Sequence, residues 1–461
     1  MKKIIKLIFT IIIIIIIIYI FSIILEIYRK NFFNGFSEAE LALNVSTFSR
    51  DKDVRYSDAY SYKIESPTWN DAIFYKTIKV EKNSVYRLSC MVKTKDVVTG
   101  RTPSDSGAHI SIMDTLEKSR SVTGTSDWQE IELCFNSYDR EEINIGFRLG
   151  GNTDNCTGTV WFSDFKLEKG VKSDSSTWNV ACFIMENTDI AVQNTGQHVN
   201  VSMTPNEIYN TKQDMERYKN SCSTLSGGKM SVNYDIYEIE QPLTSVSNDE
   251  DNGNFVSGAD VSNIIDPYLD KKEYDHIFVV IKLGDLSKNM DIPVNNWIGL
   301  GSMVYRGIGF SDIRIPSDSD QIYIYAGNHT FPEEVMIHEF LHDLERLSKD
   351  LGYNIPALHD SAKYGYENQA TTGLKDWYEA YMRKTILDKT TNTYIGLPAE
   401  VYTARPAHDS DFNYSVELEF NSEPKNIFEE IYKIVQQAKN TFESVYLERP
   451  ENGNEVTWIW F

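Results

Sequence analysis

The chain has 461 residues, 41% hydrophobic and 12% aromatic, a length that suits two or three globular units better than a single core. Its formal net charge of −22 comes from 67 Asp and Glu against 45 Lys and Arg. That balance argues against a nucleic-acid partner, because phosphate binding needs clustered cations, and suits a protein kept soluble outside the cell.

At the N-terminus Lys2, Lys3 and Lys6 precede an unbroken apolar run, residues 7–25, close to the ~20 residues a helix needs to cross a bilayer. A cleaved signal peptide has a shorter apolar region, about 7–15 residues, and a small-residue cleavage site. The following EIYRKNFFNG offers no such site. The favoured reading is a retained transmembrane signal-anchor over residues 1–30; the alternative is a cleaved signal and a secreted protein. Three lysines on the short side predict that this tip is cytoplasmic and the bulk of the chain extracellular, a single-pass cell-membrane protein. The five cysteines, Cys90, Cys134, Cys156, Cys182 and Cys222, show no metal-ribbon spacing. An odd number leaves at least one unpaired.

From residue 35 to 170 the pattern has period two. In SVYRLSCMVK, Tyr86, Leu88, Cys90 and Val92 share one face; Ile131, Leu133 and Phe135 repeat this in WQEIELCF, and Ile143, Ile145, Phe147 and Leu149 in INIGFRL. Short alternating strands between Gly, Asn, Asp and Ser clusters predict an antiparallel β-sandwich. The succession VYRLSCMVK, SDWQEIELCF, INIGFRLGG and GTVWFSDFKLEKG resembles the jelly-roll carbohydrate-binding modules of families 4 and 9. The resemblance implies a module that binds cell-surface glycan or spaces a second domain from the membrane. Trp69, Tyr75 and Trp161 are candidates to stack on sugar rings or to pack in the core.

GVKSDSST, residues 170–177, reads as a linker, and a mixed α and β domain is expected over 178–461. NVACFIM and HIFVVIKLG are short apolar strands, and NEIYNTKQDMERYKNS is helical. SVSNDEDNGNF is a polar loop without the full spacing of a calcium loop. Ile427, Ile431, Ile434, Ala438 and Phe442 mark one face of a C-terminal helix.

The chemistry concentrates in HEFLHDLERL. Pro332 suits a first helical turn, Glu333 and Glu334 complement the helix N-terminus, and Gly352 and Pro356 stop a helix that runs to about Asp350. At about 100° per residue His338, His342 and Glu345 fall on one face, with Phe340, Leu344, Leu347 and Leu351 opposite. Two imidazoles one turn apart can bind one Zn2+ at ~2.0–2.1 Å, and Glu339 beside them is placed to accept a proton from zinc-bound water.

This stretch resembles the active-site helix of the HExxH zinc metallopeptidases, the zincin superfamily. The resemblance implies His338 and His342 as metal ligands, Glu339 as catalytic base and a mixed sheet packed on the helix. It also implies an upstream edge strand that holds a peptide substrate, at GIGFSDIRI or QIYIYAG. The pattern departs from the metzincin signature, so the third ligand must be argued. His359 has the reach to return to the metal, and Glu367, Glu345 and Asp360 stay open, with Glu345 better suited to bonding a ligand from behind. Met382 is a candidate to lie under the metal, or simply in the core. Tyr364, Tyr366, Tyr402 and His408 are candidates to polarise the scissile carbonyl.

The expected architecture is therefore an α+β zincin-like catalytic domain behind an all-β jelly-roll sandwich and an N-terminal transmembrane helix. The expected function is hydrolysis of protein or peptide substrates by an anchored extracellular zinc endopeptidase. The alternative is a non-enzymatic surface protein for glycan binding or adhesion. A carbohydrate-active enzyme would need a carboxylate pair that spacing does not single out.

Overall fold

In the first half of the chain, strand after strand buries every second side chain, and this alternation builds two facing sheets. In a computed structural model of the protein, residues 35–100, 106–113, 115–151, 154–192, 196–317 and 330–412 are described. The apolar run at 7–25, the QIYIYAG segment and the C-terminal face from Ile427 to Phe442 lie outside the described residues. Among the described residues no helix is long and apolar enough to cross a membrane.

Nine strands form the first unit: β1 (Ser37–Glu40), β2 (Thr47–Asp51), β3 (Ser61–Asn70), β4 (Ala72–Lys79), β5 (Val85–Thr99), β6 (Gly107–Ile112), β7 (Gly124–Asn136), β8 (Glu142–Gly150) and β9 (Cys156–Lys169). They pair antiparallel in two sheets, ordered β1-β4-β8-β6 and β2-β3-β9-β5-β7, a jelly-roll sandwich. Leu88, Val92, Ile131, Leu133, Ile145 and Phe147 meet in its core. Of the three aromatic candidates for sugar stacking, Trp161 is buried with its Nε1–H on Asp51 Oδ2 at 2.9 Å, Tyr75 is half-buried and Trp69 is exposed.

The second unit begins with β10 (Thr177–Met185), followed by the hairpin β11–β12 (Asn187–Ala191, His198–Ser202) and helix α1 (Pro205–Ser226). Then come β13 (Ser231–Ile239), the hairpin β14–β15 (Ser247–Asp249, Gly253–Phe255), helix α2 (Gly258–Leu269) and β16 (His276–Lys282). A short hairpin β17–β18 (Gly284–Asp285, Met290–Asp291) leads to β19 (Gly299–Tyr305) and β20 (Ile308–Ile315). Helices α3 (Glu334–Asp350) and α4 (Lys375–Arg383) and the hairpin β21–β22 (Ile386–Asp388, Thr393–Ile395) complete it. The main sheet runs β13-β10-β16-β20-β19, parallel except for β19.

Both faces of this sheet are covered, which is why NVACFIM and HIFVVIKLG read as continuous apolar runs. Val180, Cys182, Phe278 and Val280 face the side of α1, α3 and α4; Ala181, Phe183, Ile277 and Val279 face the side of α2. SVSNDEDNGNF, expected as a plain loop, folds as the hairpin β14–β15, its turn closed by Asn252 N–H donating to Asp249 Oδ1 at 2.6 Å.

One expectation needs correction. GIGFSDIRI is not an edge: it holds β20, an interior strand paired to β16 and β19 and buried along most of its length. The edge is β19, GLGSMVY, whose glycines hide any alternation. Helix α3 buries the apolar face its period marks, and more. Beside Phe340, Leu344 and Leu347 it buries Val335, Met336, Ile337 and Leu341, because the sheet, α1 and α4 enclose it on several sides.

Candidate metal centre

Helix α3 presents His338 and His342 one turn apart, and their Nε2 atoms lie 3.2 Å from each other. A short 3-10 helix, Leu358–Tyr364, returns the chain to the same place and sets His359 Nε2 3.1 Å from His338 Nε2. Ligand nitrogens ~2.0–2.1 Å from a tetrahedral ion sit about 3.3–3.4 Å apart, so the spacing suits a single cation. The other candidates are placed elsewhere. Glu367 is exposed, and Asp360 pairs with Lys363 at 3.0 Å. Glu345 Oε2 is 3.4 Å from His342 Nδ1, behind the ring, and Lys349 Nζ holds its other oxygen at 2.8 Å.

The partners at Nδ1 decide what the Nε2 atoms can do. Tyr378 on α4 brings its hydroxyl to 3.1 Å from His338 Nδ1 and donates to Glu334 Oε1 at 3.4 Å. Glu334 Oε1 also accepts from Leu374 N–H at 2.8 Å. Since the phenol proton goes to the carboxylate, the phenol oxygen accepts from His338 Nδ1–H. His342 Nδ1–H likewise faces the Glu345 carboxylate. Both Nε2 atoms are then bare acceptors turned toward each other, an arrangement that a cation between them satisfies.

Burial, with His342 and His359 nearby, pushes His338 down to about 3, so its ring is neutral. Burial and then His342 lower His359 as well. Burial alone would raise Glu345, but its bonds to His342 and Lys349 hold it down at about 2.

Helix α4 also carries the support of His359. Trp377 Nε1–H donates to the Leu358 carbonyl at 2.8 Å and Tyr381 OH to the Pro356 carbonyl at 3.0 Å, fixing the backbone just before that histidine. Tyr364 stacks on Trp377, with ring centroids 6.0 Å apart.

Glu339 points along β19, where Gly299 and Gly301 make room for it: a Cβ on Gly299 would lie 2.5 Å from Glu339 Cγ. Burial, then the charge of Asp312, raises its carboxyl to about 8 despite a hydrogen bond from the Gly301 backbone. A base with a pKa near neutrality is matched to taking and returning a proton. Glu339, the three histidines, Tyr378, Val335, Leu374, Asn368 and the segment from Asn296 to Ser302, which enters β19, line a cleft of about 480 Å³.

Of the residues considered for the oxyanion, Tyr402 is buried with its hydroxyl on the Met382 carbonyl, and His408 bonds Asp275 at 2.8 Å. Met382 is fully buried in the core. None of these, nor Tyr364 or Tyr366, is among the residues lining the cleft. Tyr378 is, and no motif in the sequence marks it. Its signal was its position on GLKDWYEAYMRKTI, next to Trp377 and three residues before Tyr381, legible only once α4 is known to cross α3.

Behind α3 lies a string that looks catalytic and is sealed. Ser311 Oγ is 3.2 Å from His276 Nε2, and His276 Nδ1 is 3.4 Å from Asp343 Oδ2. All three are fully buried, so no substrate reaches the hydroxyl. The string ties α3 to β16 and β20, and Arg346 pairs with Asp343.

No protein-family model and no curated protein matches the chain. Among solved structures, the enzymatically active domain of tailspike protein 4 of bacteriophage CBA120 is similar at 15% identity and a TM-score of 0.23, over 29% of this chain. This chain spans only 19% of that domain's length. A CBM4 carbohydrate-binding module is similar at 16% identity and a TM-score of 0.20, over 29% of this chain and 86% of the module. The family 11 carbohydrate-binding module of a Clostridium thermocellum cellulosomal cellulase is similar at 13% identity and a TM-score of 0.20, over 29% and 89%. Carbohydrate-binding modules thus stand among the structural neighbours.

Proposed function

We propose that the protein is a membrane-anchored, outward-facing zinc-dependent endopeptidase of the HExxH kind. The observation that supports this reading is the convergence of His338, His342 and His359 beside a buried glutamate in an open cleft. His338, His342 and His359 would hold the ion through Nε2. When bound, zinc supplies a lowered pKa for its water and polarises the scissile carbonyl. Glu339 would accept a proton from the attacking water and return it to the leaving amine. The outer edge of β19, unpaired on that side among the described strands, offers backbone N–H and C=O groups to an extended peptide. Residues 7–25 supply the anchor.

Full-length protein prepared without chelator is expected to hold about one zinc per chain, read by elemental analysis. Glu339→Gln is expected to abolish peptide-bond cleavage with zinc content close to wild type. A Glu339→Gln variant that cleaves at a comparable rate removes the base assignment.

A second reading is glycan binding or adhesion by the sandwich without catalysis. The neighbouring modules are named for carbohydrate binding, and the same activity is proposed here on one feature: Tyr56, exposed, and Trp128, half-exposed, set their ring centroids 5.9 Å apart on the sandwich surface. Protein that contains no transition metal yet is retained on immobilised glycan would replace the enzymatic reading with this one.

A further inference from the structure

At one end of the sandwich, four large apolar side chains stand in water. Leu41 (50% exposed), Leu43 (53%) and Val45 (37%) follow β1, and Trp69 (45%) lies near the end of β3. The loop that carries the first three is held by its polar atoms. Leu41 N–H donates to the Asp71 carbonyl at 2.8 Å and Leu43 N–H to Asn70 Oδ1 at 2.7 Å. Val45 and Ser46 N–H groups donate to Glu40 Oε2 at 2.7 and 2.8 Å, and Ser46 Oγ meets Ser66 Oγ at 2.7 Å. Polar groups of the two segments are spent on each other, and the apolar side chains are left outside. Val98, also exposed, belongs to the same end, since Asn70 pairs with Cys156 and Cys156 with Thr99 across neighbouring strands. Single exposed apolar residues are ordinary on a protein surface; a fixed cluster marks a contact.

We propose that this end of the sandwich docks on the lipid bilayer that anchors the chain, with Leu41, Leu43, Val45 and Trp69 entering its interfacial layer. The proposal rests on the anchor reading of residues 7–25 and is independent of the metal site. Three observations select lipid as the occupant.

The first is reach. Roughly ten residues separate Leu25 from Gly35, a tether of up to ~33–36 Å. Strand β1 runs from Ser37 opposite Tyr75 to Glu40 opposite Ala72, so the chain joins the sandwich partway along and heads for the exposed end. From Gly35 to Leu41 is at most ~20 Å, well inside the tether. The second is charge. LALNVS (residues 41–46) and SPTWN (66–70) carry no ionisable side chain in a protein of net charge −22. The third is chemistry: leucine enters the acyl boundary and the amphipathic tryptophan ring settles at headgroup level.

The test uses full-length protein reconstituted in phosphatidylcholine vesicles that contain lipid brominated near the headgroup end of an acyl chain. Bromine quenches only tryptophan that reaches it. The quenched share of emission is expected to fall roughly twofold or more in Trp69→Phe. Leu43→Asp, which places a charge in the docked loop, is expected to lower it in the same direction, while both variants resist carbonate extraction like wild type. Equal quenching in wild type and Trp69→Phe, with the protein still carbonate-resistant, overturns the dock and leaves the anchor standing. Release of wild type by carbonate overturns the anchor reading and the dock with it. Unchanged quenching with glycan retention lost in Trp69→Phe overturns the dock in favour of a sugar site.

Discussion

His359 shows how a single side chain can be assigned by its backbone. Its ring alone could be a loop histidine, but Trp377 and Tyr381 bond the carbonyls of Leu358 and Pro356 and hold its segment against α3. If these contacts set a ligand, the three positions differ in a measurable order. His359→Ala is expected to lower zinc affinity by more than the ~10–100-fold typical when a group behind a ligand is lost. Tyr378→Phe, which removes the oxygen that accepts from His338 Nδ1–H, is expected within that ~10–100-fold range. Glu367→Ala is expected to leave affinity unchanged, because its side chain is out in solvent. Competition with a chromophoric chelator measures all three. Retention of zinc by His359→Ala together with its loss in Glu367→Ala would move the third position to a carboxylate. The spacing of His338 and His342 was readable from the sequence, since one helical turn fixes it. Tyr378 was not, because its hydroxyl meets His338 across a sequence gap that no local period spans.

Strand β19 and helix α3 meet so closely that two glycines are obligatory, each for a different reason. A Cβ on Gly301 would fall 2.4 Å from the Glu339 carbonyl oxygen and 3.0 Å from His342 Cβ. Helix backbone cannot yield to it, so Gly301→Ala is expected to destabilise the fold by about 1–3 kcal/mol. A Cβ on Gly299 meets the side chain of Glu339 instead, at Cγ and at Oε1 2.8 Å away. Gly299→Ala is therefore expected to displace the Glu339 carboxyl, the proposed base, lowering kcat with zinc content and melting temperature closer to wild type. Thermal unfolding beside turnover separates the pair; equal melting losses in both would show that the strand shifts as a body. The same glycines explain why this edge has no strand signal in the sequence. GLGSMVY carries neither the alternation of a half-buried strand nor an unbroken apolar run, and close approach to a helix leaves no periodic trace. By contrast, SVYRLSCMVK and INIGFRL bury the apolar face their period indicates, although Gly146 and Arg148 on the other side of the second strand are buried as well.

At the scale of the molecule, a strap at residues 404–412 joins the two units. Asn136 Nδ2 donates to the Arg405 carbonyl at 2.8 Å, Val171 N–H to the Asp411 carbonyl at 2.8 Å, and Arg87 lies over the Phe412 ring. The strap is pinned to the second unit at Asp275, a fully buried carboxylate. Asp275 accepts from Asn179 N–H at 2.6 Å, His408 Nε2 at 2.8 Å and Arg405 Nη1 at 3.3 Å. No sequence pattern announces this joint, for the bonds of the strap connect residues more than a hundred positions apart. Burial opposes the charge on His408, but the bond and charge of Asp275, with Glu273 and Asp411 nearby, outweigh it and raise its pKa. A group whose folded pKa lies above its unfolded value of about 6.5 stabilises fully below that value. The stabilisation then fades as pH rises through the raised folded value. The melting temperature is therefore expected to fall as pH passes upward through that interval, and His408→Gln is expected to flatten that part of the curve. The strap should loosen over the same interval, so proteolytic cuts between residues 404 and 412 are expected to quicken with it. A wild-type profile that matches His408→Gln across the interval would mean that the imidazole is neutral in the fold and that Arg405 alone balances Asp275.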